Sequence, residues 1–363
     1  MLEISVPKEV FQTPKAAENI FSALHSMSPT PEFMEKIWKG KIQDYLSLEI
    51  VGNAGKSHFY VRTPSALKGY VTSQIYAQYP KAEIKEVNDY IDSVPMGAPN
   101  AQYELWGTEI ILAKDDGYPI RTYVEFEETI EEKRLDPLSS LMESFAQLGN
   151  DEHIWIQILA KPHSAGWEKT GQELINKLLG KKTTPKKNLV EQTLPHLFDV
   201  IESFIGGSGE APVKEKKEST KITDLTPGQK EVIEAIEKNI AKLGFDTAIR
   251  TLYISKRESF NRANIAATIG FFKQFNTLNL NSFKPNKDIS PKVKFPIFKD
   301  HREFARKRNV YINYRLRVPG KKNFVLNTEE LATIFHFPGT VVEASATSRV
   351  EAKKAEPPSN LPI

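Results

Sequence analysis

Alternating and helical spacings of apolar side chains divide the chain into short β and α elements. Thr13 to Ser26 has helical spacing, with Pro14 in the first turn and Ile20, Phe21 and Leu24 on one face. Two strand-like runs follow, 45–51 and 57–62, joined by Gly52-Asn53-Ala54-Gly55-Lys56 as a hairpin turn. The spacing of Leu67, Tyr70, Val71, Ile75 and Tyr76 predicts a helix over 65–78, and 82–87 reads as a strand. A second hairpin is expected from 103–113 and 118–126 around the turn 114–117. Further on, 138–148 reads as a helix, His153-Ile154-Trp155-Ile156-Gln157-Ile158-Leu159 as a buried strand, and 165–179 and 189–205 as helices. Thr226-Pro227-Gly228-Gln229 has the form of a capping box, with the helix running to Lys242 and stopping at Gly244. A strand over 247–255 and a helix over 261–275 come next, and the alternation in 310–318 predicts a strand with Arg315 and Arg317 on one face.

Strand, short polar turn and helix recur at 59–64, 156–162 and 247–259, which suggests an internal duplication. The predicted fold class is α+β, with two lobes of antiparallel or mixed sheet and helices on one face, as in ferredoxin-like units. Residues 206–220 are rich in Gly, Lys, Glu and Ser and cannot offset their own ordering entropy. The boundaries drawn from this are a first lobe over 1–205, a flexible linker over 206–225, a second lobe over 226–340 and a disordered tail over 341–363.

Composition narrows the function classes. Lys and Arg number 49 against 46 acidic residues, a net charge of +3, so any electrostatic attraction must be local. The absence of cysteine excludes disulfides, thiolate metal sites and cysteine nucleophiles. No window holds the ~20 apolar residues that a membrane-spanning helix needs, and no leader peptide is evident at the start. The reading is a cytoplasmic chain without a direct membrane span.

The motifs that carry chemistry are incomplete. Gly52-Asn53-Ala54-Gly55-Lys56-Ser57 ends like a phosphate-binding loop, but Ile50 stands where the first glycine belongs and Ser57 opens a strand. The seven histidines, at 25, 58, 153, 163, 196, 301 and 336, include no pair at metal-ligand spacing, and His153 and His336 read as buried structural residues. No catalytic residue, metal site or cofactor is assigned, and the chain reads as a non-enzyme.

Charge is segregated. Residues 83–132 carry 13 acids against 3 bases, and 292–322 carry 11 Lys and Arg against Asp300 and Glu303. The basic segment is interleaved with Phe295, Phe298, Phe304, Tyr311 and Tyr314. Cations neutralise phosphates and aromatic faces stack on unpaired bases, so Arg306, Lys307, Arg308, Arg315, Arg317, Lys321 and Lys322 are the candidate nucleic-acid-binding residues. The alternatives are a charged outer face on a core strand, or contact with the acidic segment.

Several passages together resemble an uncharacterised N-terminal region that precedes the motor in type IV secretion and conjugation-like ATPases, relatives of the coupling proteins and the HerA/FtsK motors. They include 2–8, Ser47-Leu48-Glu49-Ile50-Val51, His58-Phe59-Tyr60-Val61-Arg62-Thr63-Pro64, Gln74-Ile75-Tyr76-Ala77-Gln78-Tyr79-Pro80, Asp136-Pro137-Leu138 and Trp155-Ile156-Gln157-Ile158. Leu326 to Ala332, Phe335-His336-Phe337-Pro338-Gly339 and Glu356-Pro357-Pro358-Ser359-Asn360-Leu361-Pro362 complete them. The resemblance implies an accessory or assembly module, with ATP hydrolysis residing in a motor domain outside this sequence. The partners it implies are a motor ATPase or secretion-channel proteins, with DNA as a further partner and oligomers allowed. It places the chain in the cytoplasm, peripheral to the inner face of the cell membrane. The alternative reading is a free-standing nucleic-acid-binding protein using 292–322.

Overall fold

The long inner strands of the central sheet are apolar on both faces, or apolar on one and sparingly polar on the other, and this requires cover on both sides. A computed structural model describes residues 1–7, 12–27, 45–127, 136–164, 166–180, 225–293, 296–320 and 322–338. The elements in order are β1 (Leu2–Ser5), α1 (Pro14–Leu24), β2 (Leu46–Asn53), β3 (Lys56–Arg62), α2 (Lys68–Gln78), β4 (Glu83–Glu86), β5 (Tyr103–Leu112) and α3 (Tyr123–Glu127). There follow α4 (Ser139–Ala146), β6 (Glu152–Pro162), α5 (Trp167–Leu178), α6 (Pro227–Ile240), β7 (Gly244–Lys256), α7 (Arg262–Lys273), β8 (Phe283–Pro285), α8 (Lys299–Arg315), β9 (Phe324–Asn327) and α9 (Thr328–Ile334).

The fold is α+β, built on one sheet of order β4-β1-β3-β2-β6-β7-β5-β8. Every pairing among the described strands is antiparallel. β9 extends the sheet by pairing with the first residues of β7, beyond the stretch that β5 occupies. The larger core lies on one face, where Leu48, Ile50, Ile154, Ile156, Ile249 and Tyr253 meet α1, α2, α4, α7 and α9. On the opposite face Val51, Tyr60, Trp155, Leu252 and Ile254 pack on Val310, Tyr311 and Tyr314 of α8 and on a short 3₁₀ turn at Tyr90–Ser93. The expected one-sided helix layer is therefore two-sided.

The division into two lobes does not divide the sheet. β7, expected in the second lobe, pairs along its whole length with β6, and β5 of the first lobe flanks it on the other side. A strand of 13 residues, ten of them apolar or small enough to be fully enclosed, is stable only at a sheet centre, and the partners it needs come from the first half of the chain. Of the linker expected at 206–225 only Leu225 is described, and it is buried. The rest of that linker, the helix expected at 189–205 and the tail at 341–363 lie outside the described residues.

Local chemistry accounts for most boundaries. Thr13 caps α1, and Thr226 and Gln229 form the expected reciprocal capping box on α6. The β2–β3 turn is Ala54-Gly55, both at positive φ (47° and 79°), the twist that a two-residue hairpin needs. Ser57 lies within β3, so the phosphate-loop-like string is a hairpin. Gly244 does not stop α6; it begins β7, where a Cβ would come within 2.8 Å of Val325 and 3.2 Å of the Trp167 ring. Segment 118–126 is not a strand beside β5. Pro119 offers no N–H, and the next amides are taken elsewhere: Ile120 donates to Glu330 Oε1, Arg121 to Phe275 O and Tyr123 to Thr333 Oγ1.

Candidate binding surface

One polar row crosses the face of the sheet beneath α8. The register aligns Lys85, Glu3, Tyr60, Glu49, Gln157, Arg250 and Glu109 as successive cross-strand partners through β4, β1, β3, β2, β6, β7 and β5. Glu49, Gln157, Arg250 and Glu109 are buried, so each must find a partner. Gln157 Nε2 donates to Glu49 Oε1 at 3.2 Å, and Arg250 Nη2 to Glu109 Oε1 at 2.9 Å. The same groups hold the end of α8: Gln157 donates to Tyr314 O, and Arg250 to Asn313 O and Val318 O. A cation and an amide thus satisfy the last carbonyls of the helix, where its dipole is negative.

Arg317 completes this lock from the helix side. It sits just past the C-cap in the left-handed region (φ 52°), with its own N–H on Tyr314 O and that of Val318 on Asn313 O. This is the six-to-one, five-to-two closure that usually takes glycine. The strain is offset by a fully enclosed guanidinium that donates to both oxygens of Glu49 (2.7 and 3.1 Å) and both of Asp89 (2.7 and 3.1 Å). Burial would raise the Asp89 carboxyl, but the hydrogen bonds and charge of Arg317 outweigh it and hold the carboxyl below its ordinary range. Burial likewise pushes the hydroxyls of Tyr90 and Tyr314 far up; the two share a hydrogen bond of 2.6 Å.

Most of the candidate cations are committed to contacts within the fold. Residues 310–318 form no strand: α8 runs to Arg315, and the apparent alternation comes from Val310, Tyr311 and Tyr314, which are spaced for one helix face. Arg315 and Arg317 share no exposed face. Arg317 pairs with Glu49 and Asp89, and Arg315 pairs with Asp92 and donates to Ile91 O. Lys307 pairs with Glu104 at 2.7 Å, and Arg306 donates to the carbonyls of Lys287, Ser290 and Lys292. Lys322, on the surface, pairs with Asp288. Lys321 lies outside the described residues. Of the six that are described, Arg308 alone is exposed with no ion pair found among the described residues. Four acids of the acidic segment or the sheet row (Asp89, Asp92, Glu104 and Glu49) take up the inward charges, so contact between the two charged segments is the alternative that the geometry realises.

The outward side of α8 differs. Eleven large apolar side chains are exposed among the described residues, and five of them, Ile297, Phe298, Phe304, Leu316 and Val318, fall between 297 and 318. Phe298 is the most open of these at 76%, held out by a positive φ of 50° at the helix start. Lys292, Lys299, Arg302 and Arg308 are exposed around them; within 296–320 the exposed acid is Asp300, while Glu303 accepts from Val293 N. This side of the helix is apolar and basic together; of the seven cations that the sequence singled out, Arg308 lies on it, while Lys307, Arg315 and Arg317 face inward. Amphipathic helical spacing, with Val310, Tyr311 and Tyr314 as the inner face, was the signal that separates them.

A cleft of about 700 Å³ opens at the other end of the sheet, lined by His25, His163, Trp167, Gln172, Lys242 and Gly244 among others. His163 Nδ1 lies 2.6 Å from Asp246 Oδ1, and this hydrogen bond raises the imidazole above its usual range. His25 Nε2 lies 3.1 Å from Gly244 O, the carbonyl that also accepts the His163 N–H, and burial lowers the His25 ring. A histidine oriented by a carboxylate can exchange protons; Lys161 pairs with the same carboxylate at 3.3 Å, and no cluster of metal-ligating side chains occurs among the described residues. His153 bonds Asn53, and the buried His336 is held between Ala332 O and Asp136, in the structural roles expected.

A family model described as "Domain of unknown function (DUF8128)" matches residues 2–349, spanning both halves that the linker was expected to separate. No curated protein matches the chain.

Proposed function

The chain belongs to the DUF8128 family, and from that premise we propose that it is a non-catalytic accessory module which assembles with a type IV secretion or conjugation-like DNA-translocating ATPase, peripheral to the cytoplasmic face of the membrane. No described helix is long and apolar enough to cross a membrane. The observation that carries the reading is the concentration of exposed apolar side chains along and beside α8, on a helix whose inner face is fixed to a nine-stranded sheet. A sticky face on a rigid support is the form of a docking module rather than of a reaction centre. The resemblance in segments such as 47–51, 58–64, 326–332 and 335–339 supplies the kind of partner.

The test is co-elution of the purified chain with the ATPase motor of a conjugation-type coupling protein from the same genome. A stable complex is expected, weakened at least tenfold when Leu316 and Val318 at the end of α8 are both changed to glutamate. No complex at tens of micromolar would overturn the reading. The second reading, a free-standing nucleic-acid-binding protein using 292–322, is weakened by the inward pairing of Lys307, Arg315 and Arg317. What favours it is the outward set around Arg308.

A further inference from the structure

The basic segment is split by α8 into two populations with different work. The inward cations hold the helix to the sheet. The outward ones, Lys299, Arg302 and Arg308, are exposed on the first three turns with no ion pair found among the described residues, and Lys292 is exposed in the preceding loop, whose backbone is tied to the helix through Arg306. On the helix, at 100° per residue, Arg302, Ala305 and Arg308 fall on one side, away from Val310 and Tyr314, with Phe304 at one margin and Lys299 at the other, while Phe298 is the left-handed residue just before the first turn. Phe298, 76% exposed, adjoins Lys299 in the chain, and Phe304, 45% exposed, stands one turn from Arg308 on one side and one turn from Asp300 on the other.

We propose that this outward face of α8 is a platform for single-stranded DNA, in which Phe298 and Phe304 stack on unpaired bases while Lys292, Lys299, Arg302 and Arg308 meet the phosphates. The inference rests on the reading of the chain as part of a DNA-handling assembly, and it keeps Arg308 from the cations that the sequence indicated while moving the rest of the contact to residues that the fold leaves outside. Aromatic rings exposed singly cost little to display and match any base, whereas a duplex offers them no open face. Phosphate neutralisation needs cations that are not already paired, and the outward set meets that condition while Lys307, Arg315, Arg317 and Lys322 do not. One acid, Asp300, stands at the margin of the face and sets a limit on affinity.

The probe is a fluorescein-labelled 20-mer of thymidylate titrated with the full chain, followed by anisotropy. With three or four phosphates neutralised and a slope of about −0.7 each, affinity is expected to fall roughly twenty- to fiftyfold between 50 and 200 mM salt. Phe298→Ala is expected to weaken binding about tenfold, and Arg302→Ala with Arg308→Ala to weaken it further and flatten the salt slope by about 1.4. These residues are exposed, so circular dichroism and thermal unfolding should be unchanged, and Lys307→Met should leave DNA binding as it was. Absence of salt-sensitive binding at 50 mM, equal affinity in the outward variants, equal affinity for a duplex of the same length, or tighter binding of a uridylate 20-mer would each overturn the proposal. Any of these can occur while the chain still co-elutes with the motor, so loss of the platform and loss of the assembly role are told apart.

Discussion

Two buried side chains set the terms of stability at the scale of the single residue. Arg317 is enclosed with Glu49, and Asp89 closes the set. Removing one member of a buried pair strands the other charge, so Arg317→Ala should cost about 3–5 kcal/mol in urea unfolding. Arg317→Gly loses the same pairs but relieves the left-handed backbone (φ 52°), so it should cost less than the alanine variant by about 1 kcal/mol. An alanine variant no worse than glycine would show that the backbone carries no strain there. Glu330 is the opposite case: a buried carboxylate that accepts from Asn327 N and Ile120 N, yet is pushed up by desolvation to about 8. Its pKa is raised on folding, so the folded state holds the proton more tightly, and stability should fall as pH rises from about 4.5 toward 8. A carbon-13 titration of the Glu330 side chain should show a midpoint near 8; a midpoint near 4.5 would mean that the two amide donors outweigh burial.

Elements were legible where the signal was local. The α1 and α6 caps, the Ala54-Gly55 hairpin, β6 and α7 follow from capping residues, turn residues and apolar runs that the sequence displays directly. The elements that misled are those whose backbone partners lie far along the chain. Segment 118–126 has a strand-like composition, but its amides go to residues near 275 and 330. In α8 the β-branched and aromatic residues of 310–314 suggest a strand, yet the helix wins because its C-terminal carbonyls are met by Gln157 and Arg250 across the sheet. The candidate site suffered from the same blindness. Charge segregation was visible, but which cations face Glu104, Asp92 and Asp89 depends on the helical phase of α8. Gly107 permits that docking: a Cβ there would lie 2.3 Å from Leu252 and 3.0 Å from Val310 of α8. Gly107→Ala should therefore cost about 1–3 kcal/mol and speed amide exchange selectively in 306–316. Uniform exchange with unchanged stability would show that the helix tolerates the methyl.

At the scale of the molecule the decisive fact is the position of β7. A flexible linker between two lobes would let each half fold alone and unfold in its own transition. With β7 between β6 and β5, the first half without it leaves β6 with eleven unpaired register positions and Trp155 without Leu252 against it. The second half by itself has β7, β8 and β9 but neither long neighbour of β7, so its central strand would expose one edge throughout and the other beyond the four residues that β9 covers. The buried row Glu49–Gln157–Arg250–Glu109 would also be cut between Gln157 and Arg250, leaving Glu49 and Glu109 without the cations that α8 and β7 supply. The full chain should therefore melt in one transition that is coincident by tryptophan fluorescence and far-ultraviolet circular dichroism. Fragments 1–205 and 226–363 should each lack cooperative unfolding when expressed separately, and mixing them should restore it. Independent cooperative transitions for the two fragments would show that the halves have separate cores and that the shared sheet adds little to either. A single restored transition would mean that the outward face of α8 is presented by the whole molecule, since the sheet that supports it exists only when both halves are present.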